Sequence, residues 1–230
     1  MNQGLRKFFS DVPHTYELVN HVLTFGLDIL WRRSAAKTAA ADGGQTWLDM
    51  CSGTGEMAMY LRRLTDVETT IVAVDFSFPM LSKITEKPEG DHIRFALADA
   101  KCLPFSDDST DLVTISFATR NININRDILI QTLAEFHRIL KPGGRFINLE
   151  TSQPQAKSIR FLYHTYVRLF VKPIGSMISG SKRPYAYLSR TIRGFYNADD
   201  FAGIIRQAGF STVTYKRMFL GVAAVHKAVK

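Results

Sequence analysis

The chain has 230 residues, 46% of them hydrophobic, and carries 29 Lys and Arg against 21 Asp and Glu, a formal charge of +8. That length suits one domain with a full-sized core and room for an appended lid, and no apolar run reaches the roughly 18–20 residues that span a bilayer. The charge favours acidic partners, whether nucleic acid, an anionic membrane surface or an acidic substrate, and selects none of them.

The N-terminal "MNQGLRKFFSDVPH" has no cleavable signal pattern. The two cysteines, Cys51 and Cys102, are far apart and form no C-x-x-C pair, which fits a reducing cytoplasm. The six histidines, His21, His137 and His226 among them, are scattered without zinc-type spacing, so no metal is expected.

Residues 1–40 read as helical, and "ADGGQ" breaks the pattern. "TWLDM" reads as a short buried strand and "EMAMYLRRL" as a helix. "TTIVAVDF" is a second strand, rich in β-branched residues and ending in Asp75. "FPMLSKITEK" is a short helix with Ser77 as its expected cap. "HIRFALAD" is a third strand ending in Asp99, and "STDLVTISF" a fourth. "RDILIQTLAEFHRIL" has apolar residues at helical spacing and stops at "KPGG"; "RFINLE" is a fifth strand. Strands alternating with helices predict a doubly wound α/β fold, a mostly parallel sheet covered on both faces.

Ligands of such sheets bind at the carboxyl ends of the strands, near the switch in strand order. Asp49, Asp75, Asp99 and the stretch from Ser116 to Asn121 all fall at expected carboxyl ends, so they should line one crevice. Two cofactor classes compete for it. A dinucleotide wants G-x-G-x-x-G with a pyrophosphate over the helix N-terminus, whereas "CSGTGEM" lacks the third glycine and is flanked by Asp49 and Glu56, which repel phosphate. S-adenosylmethionine carries a cationic sulfonium and an amino group and no phosphate, so acids suit it. Gly53, Thr54 and Gly55 form its loop, Asp75 is spaced to accept from the ribose hydroxyls, and Asp99 and the Ala100 N–H are spaced for the adenine. An acid at a strand end is also a common cap or turn residue. Three at matching ends favour the cofactor.

These segments together resemble the ubiquinone/menaquinone biosynthesis C-methyltransferase family, within the class I S-adenosylmethionine-dependent methyltransferases. The resemblance runs from Tyr16 to about His226 through "YELVNHVLTFGLDILW", "LDMCSGTGE", "ADAKCLPFSDDSTDLVTISFATRN", "RILKPGGRFINLETS", "YAYLSRTIRGF" and "AGFSTVTYKRMFLGVAAVHKA". It implies a seven-stranded, Rossmann-like sheet, a helical N-terminal segment and a helical lid over 151–195, all in one methyltransferase domain. The chain departs from the family pattern at Glu17 (usually Asp), Thr24 (Ser), Asp28 (His) and Ala118-Thr119 (Gly-Leu), and "GSKRPYAYL" replaces a more acidic stretch. The cofactor half is well kept and the acceptor half is not.

The resemblance implies a prenylated quinol or related aromatic lipid precursor as acceptor. Ionising a ring hydroxyl pushes electron density onto the ortho carbon, which attacks the methyl; a ring proton then leaves. Arg120 is expected to stabilise the phenolate or to position a water that takes the proton, and Asn121 to hydrogen-bond the ring oxygen. A structural salt bridge is the alternative role for Arg120. Tyr16, Tyr185 and Tyr187 are expected to line the ring pocket. The segment 151–195 mixes aromatic, aliphatic and basic residues, which suits a lid over a lipid tail, an anionic membrane face, or an ordinary solvated cap. The expectation is a cytoplasmic C-methyltransferase, with peripheral membrane contact and a homo-oligomer left open. Another small-molecule methyltransferase, an RNA methyltransferase and a non-catalytic cofactor binder are the alternatives; dispersed basic residues argue against nucleic acid.

Overall fold

The computed structural model describes the backbone of residues 13–180 and 182–230, and the side chains of 17–180 and 184–230. Seven strands form one sheet: β1 Thr46–Met50, β2 Thr70–Asp75, β3 Arg94–Leu97, β4 Thr110–Ser116, β5 Leu140–Thr151, β6 Thr212–Met218 and β7 Ala223–Val229. Their order is β3-β2-β1-β4-β5-β7-β6. Strand β7 runs antiparallel to both neighbours and every other pairing is parallel. Strand order reverses between β1 and β4, which opens a crevice at their carboxyl ends.

Alternation along the central strands serves both faces. Leu48, Met50, Val113, Ile115 and Phe146 pack on one side with Leu129, Leu133 and Phe136 of α6 (Arg126–Ile139) and Phe201 and Ile204 of α10 (Ala198–Gln207). Trp47, Ala73, Leu112, Ile147 and Leu149 pack on the other with Trp31, Ala35 and Ala39 of α2 (Leu27–Ala40) and Met57 and Leu61 of α3 (Glu56–Arg62). Helices α6 and α10 start at asparagine caps: the Asn125 and Asn197 side chains accept from the Ile128 and Asp200 N–H groups, each at 2.9 Å. The expected cap at Ser77, before the short α4 (Phe78–Leu81), takes another form. Its hydroxyl makes no cap bond, and its N–H donates to Asp75 at 2.9 Å.

Of the N-terminal segment expected to be helical, residues 1–12 lie outside the described residues, and 13–40 form two helices. The first, α1 (Pro13–Thr24), ends at Phe25 and Gly26, both with positive φ (53° and 75°), before α2 begins. The third strand is also shorter than expected. It ends at Leu97, and Asp99 sits in the turn that follows, in an isolated bridge with Cys102.

Between β5 and α10 lie α7 (Lys157–Tyr166), a π-helical turn (Val167–Val171), α8 (Lys172–Ser179) and α9 (Lys182–Gly194). With α1 they form a third apolar cluster apart from the sheet, built on Val19, Leu23, Val167, Val171, Tyr185 and Ile192. Gly175 of α8 meets the ring of Tyr185 of α9 so closely that an added Cβ would lie 2.2 Å from the ring.

Candidate active site

Two cavities lie above the carboxyl ends of the strands. The first is lined by Ser52, Gly53, Thr54, Asp75, Asp99, Ala100, Ser116 and Asn121, with Cys51, Glu56 and Phe76. The second, of about 410 Å³, lies between α1, α2 and the α7–α9 group and is walled mainly by apolar residues, among them Leu23, Trp31, Tyr163, Tyr166, Val167 and Ile192, with Arg120 at its wall. Arg32 and Phe117 line both.

The first cavity brings together most of the residues expected to hold the cofactor. Asp75, at the end of β2, accepts from the Gly53 N–H at 3.0 Å and so fixes the glycine loop as well as facing the cavity. Burial pushes its carboxyl above the usual carboxylate range, against the pull of the backbone donors of Ser77, Gly53 and Phe76. Gly53 has φ +56°, and a Cβ there would meet no protein atom within 4 Å. Gly55, at φ +81°, lies behind the wall; a Cβ there would fall 2.6 Å from Ile84.

Asp49 differs from the expectation. It lies under the loop, 1% exposed, accepting from Ser52 Oγ at 2.5 Å and Thr114 Oγ1 at 2.8 Å. Burial raises its carboxyl to about 6. It ties the loop, through Ser52, to Thr114 of the neighbouring β4 and does not line the cavity.

The wall between the cavities is strained. Phe117 follows β4 with φ 53°, and Cys51 follows β1 with φ 51°, a region that bulky side chains rarely adopt. The Phe117 N–H donates to Leu149 O at 2.8 Å. The Arg32 guanidinium lies 5.0 Å from the Phe117 ring centre. It also pairs with Asp28 at 2.7 Å and Glu56 at 3.0 Å.

Of the three N-terminal departures from the family pattern, Thr24 and Asp28 join this wall and Glu17 meets the glycine loop. Thr24 Oγ1 donates to Asp28 Oδ1 at 2.6 Å, and His21 Nδ1 lies 2.8 Å from Asp28 Oδ2. Burial opposes ionisation of Asp28, yet the Thr24 bond and the charge of Arg32 hold its carboxyl below the usual range. Glu17 binds Thr54 of the glycine loop and Lys87 Nζ, the latter at 2.7 Å, latching α1 across the loop. His21, Asp28 and Glu56 bring ligand atoms within 4.8 Å of one another, and the Arg32 guanidinium bridges both carboxylates.

Arg120 and Asn121 sit on a four-residue helix, α5 (Thr119–Ile122), and line different cavities: Asn121 the first, Arg120 the second. Arg120 is 5% exposed and pairs with Glu150 at 2.5 Å; its own N–H donates to the other Glu150 oxygen at 3.1 Å. The salt bridge and the position on the cavity wall coexist.

The tyrosines differ most from expectation. Tyr185 is 2% exposed and fills the space between α8 and α9, because Gly175 leaves room for its ring. Tyr187 is half-buried beside Arg190 and does not line the cavity. The side chain of Tyr16 lies outside the described residues. Tyr163 and Tyr166, which sequence reasoning passed over, line the cavity instead. Tyr166 donates to Leu23 O at 2.8 Å, tying α7 to α1. Burial raises the Tyr163 phenol against the opposing charge of Arg120, so it stays protonated. Arg32 was missed too: "WRR" offers two arginines, and only the fold shows that Arg32 points inward while Arg33 is exposed.

Over residues 1–230 the chain matches the family model described as the ubiE/COQ5 methyltransferase family. It is 35% identical over 227 residues to the ubiquinone/menaquinone biosynthesis C-methyltransferase UbiE of Desulfotalea psychrophila, covering 99% of this chain and 90% of the relative. It is 36% identical over 221 residues to the demethylmenaquinone methyltransferase of Thermus thermophilus, covering 95% and 97%. Among solved structures, a Haloferax volcanii methyltransferase in complex with its Trm112 activator superposes with a TM-score of 0.65 at 18% identity, covering 95% of this chain and 96% of that one, a likeness of fold. The chain belongs to the ubiE/COQ5 methyltransferase family.

Proposed function

We propose that the protein methylates a ring carbon of a prenylated quinol, with the ring beside Arg120 and the tail in the apolar cavity. Its family makes it an S-adenosylmethionine-dependent C-methyltransferase of menaquinone and ubiquinone biosynthesis. The observation that supports the finer reading is the shared wall. A cavity with two acids at neighbouring strand ends meets one walled mainly by apolar residues across Arg32 and Phe117.

The first cavity fits the cofactor chemically. Asp75 offers a carboxylate to ribose hydroxyls, Asp99 and Ala100 an acceptor and an N–H to the adenine, and Ser116 a polar group beside them. Gly53 lines that space, and its φ of +56° is one that residues with a side chain rarely adopt. When bound, S-adenosylmethionine supplies an electrophilic methyl on a sulfonium.

The chain's own residues do the rest. Arg120, held by Glu150, lowers the cost of ionising the quinol hydroxyl by placing a fixed cation beside the developing phenolate. Asn121 hydrogen-bonds a ring oxygen from the cofactor side. Phe117 and Trp31 confine the ring so that the ortho carbon faces the methyl. With the cofactor held by Asp75, Asp99 and the glycine loop, its sulfonium would release the methyl to the ring carbon, and the ring proton would leave to a water positioned by Arg120. Arginine stays protonated near neutral pH and is not itself the base. The α7–α9 group acts as the lid, and a lipid acceptor of this kind is met at a membrane surface.

The test is direct. Purified protein with S-adenosylmethionine and a detergent-dispersed prenylated hydroquinone should yield a product one CH2 heavier, with the new methyl on a ring carbon by NMR. An oxygen-methylated product, or none, would overturn the reading. Methylation of RNA in its place would replace it.

A further inference from the structure

We infer that the outward face of α7, the π-turn and α8 docks on an anionic lipid bilayer and sets the mouth of the acceptor cavity against it. This rests on the proposed lipid acceptor and names where it enters.

A surface helix buries its apolar stripe and turns polar residues outward. Here the inward side is apolar as usual, with Val167 and Val171 buried in the third cluster. The outward side is apolar too: Phe161 is 70% exposed, Leu162 66%, Leu169 56% and Met177 79%. Lys157, Arg168 and Lys172 are exposed among them. Large apolar side chains between basic ones, on a face that leaves them exposed among the described residues, are the pattern of a helix lying in a membrane interface. No helix among the described residues is long and apolar enough to cross a membrane, so the contact is with the surface.

Charge selects the surface. Residues 151–198 contain eight Lys and Arg and no Asp or Glu. Taking those eight from 29 leaves 21 basic residues against 21 acidic in the rest of the chain. The formal +8 is therefore the charge of this one segment, and the expectation that basic residues are dispersed is corrected. Anionic headgroups attract such a segment, with about 1 kcal/mol for each basic residue near the surface, or about fivefold in binding.

The cavity opens on the same side. Leu162 belongs both to the exposed stripe and to the cavity lining, and Phe25, Phe219 and Leu220, 80%, 58% and 67% exposed, complete an apolar rim. Phe219 and Leu220 hold φ of 40° and 58°, so the backbone carries strain while presenting two large apolar side chains outward. A prenyl chain can pass from acyl layer to cavity across this rim without meeting water.

The experiment is co-sedimentation of the full chain with phosphatidylcholine vesicles, with and without phosphatidylglycerol, across a salt series. Binding should require phosphatidylglycerol and weaken as salt rises. Phe161→Ser/Leu169→Ser/Met177→Ser, at sites lining neither cavity, should weaken partitioning more than about tenfold. Lys157→Gln/Arg168→Gln/Lys172→Gln should weaken it about a hundredfold. Both variants should keep the wild-type rate on a detergent-dispersed acceptor. Wild-type protein that binds neither vesicle, or an apolar variant that partitions like wild type, would overturn the proposal. So would a solution dimer dissolved by the apolar substitutions, which would assign the face to a second copy of the chain, or equal loss of activity in detergent, which would assign it to the fold. Vesicle binding by a protein that methylates no quinol would support the docking face while sinking the catalytic reading.

Discussion

The two cavities share Arg32 and Phe117 and are otherwise built on opposite plans. The cofactor side is made by short turns after β1, β2, β3 and β4, each leaving its strand at the same edge. The acceptor side is made by helices from residues 20–32 and 159–192 and by a turn at 219–222, brought together across most of the chain. On the first side, backbone geometry and carboxylates set the shape. On the second, apolar packing sets it, with the buried pairs Arg32–Asp28 and Arg120–Glu150 at its edge. A loop over a strand end has few ways to close, whereas a wall of helices can be re-lined side chain by side chain; Thr24 and Asp28 lie on the second side, Ala118 on the first.

The largest expected effect would break the separation between the halves. Arg120→Ala leaves Glu150 buried without its cation, which should cost about 3–5 kcal/mol of stability, and should lower turnover by about 10²–10³ if the guanidinium faces the phenolate. Chemical denaturation with activity on the surviving folded fraction measures both. Arg120→Lys separates them: it should fold and bind cofactor yet recover only part of the rate, since a point charge cannot replace the planar fork. Full recovery with lysine would assign Arg120 to the fold.

Acid sharpens the contrast between the parallel and antiparallel parts of the sheet. On β7, His226 is 2% exposed with Nε2 2.9 Å from Ala198 O, and burial lowers it to about 4 from 6.5. The folded value lies below the unfolded one, so this neutral base loses stability as pH falls from about 6.5 to 4, by about 3 kcal/mol. Asp49, raised by burial to about 6 from 3.8, works the other way and gains stability as pH falls through that window. The stability advantage of wild type over His226→Phe should shrink by about 3 kcal/mol between pH 7 and 4 in urea titrations. A pH-independent difference would mean that the imidazole charges inside the fold.

Asp75→Ala tests the cofactor side alone. It removes an acceptor from the cavity and from the Gly53 N–H, so calorimetry should find S-adenosylmethionine binding weaker by about 1.5–3 kcal/mol. Unchanged affinity would remove the ribose role.

The smallest effect tests independence from the other side. Gly175→Ala forces a methyl against the Tyr185 ring and should cost about 1–3 kcal/mol in overpacking. The acceptor KM should rise while cofactor affinity stays constant. A parallel loss of cofactor binding would show the halves to be coupled through α1.

Much of the fold is legible in the sequence because its signals are local. Apolar runs ending in Asp49 and Asp75, the "KPGG" stop and the glycine loop each report a strand end or turn through neighbouring residues. The convergence of Gly53, Asp75, Asp99, Ala100 and Ser116 followed from the one topological rule that parallel strands share a carboxyl edge. Which tyrosines meet the cavity was not legible. Tyr163, Tyr166, Tyr185 and Tyr187 all lie on helices with apolar neighbours, and sequence spacing does not say which face turns to α1 and which to Gly175.

What the sequence determined by itself was the first five strands, their shared carboxyl edge, and a cationic-cofactor loop, since these depend on contacts within a strand, a turn or a neighbouring helix. Tertiary structure alone decided that Asp49 lies beneath the loop, that Arg120 meets Glu150, that Arg32 joins the two cavities, and that the outward face of α7 and α8 is apolar. Each of these depends on how helices distant in the chain rotate and pack to exclude water. That choice is made by the summed burial of many side chains, and no single segment encodes it.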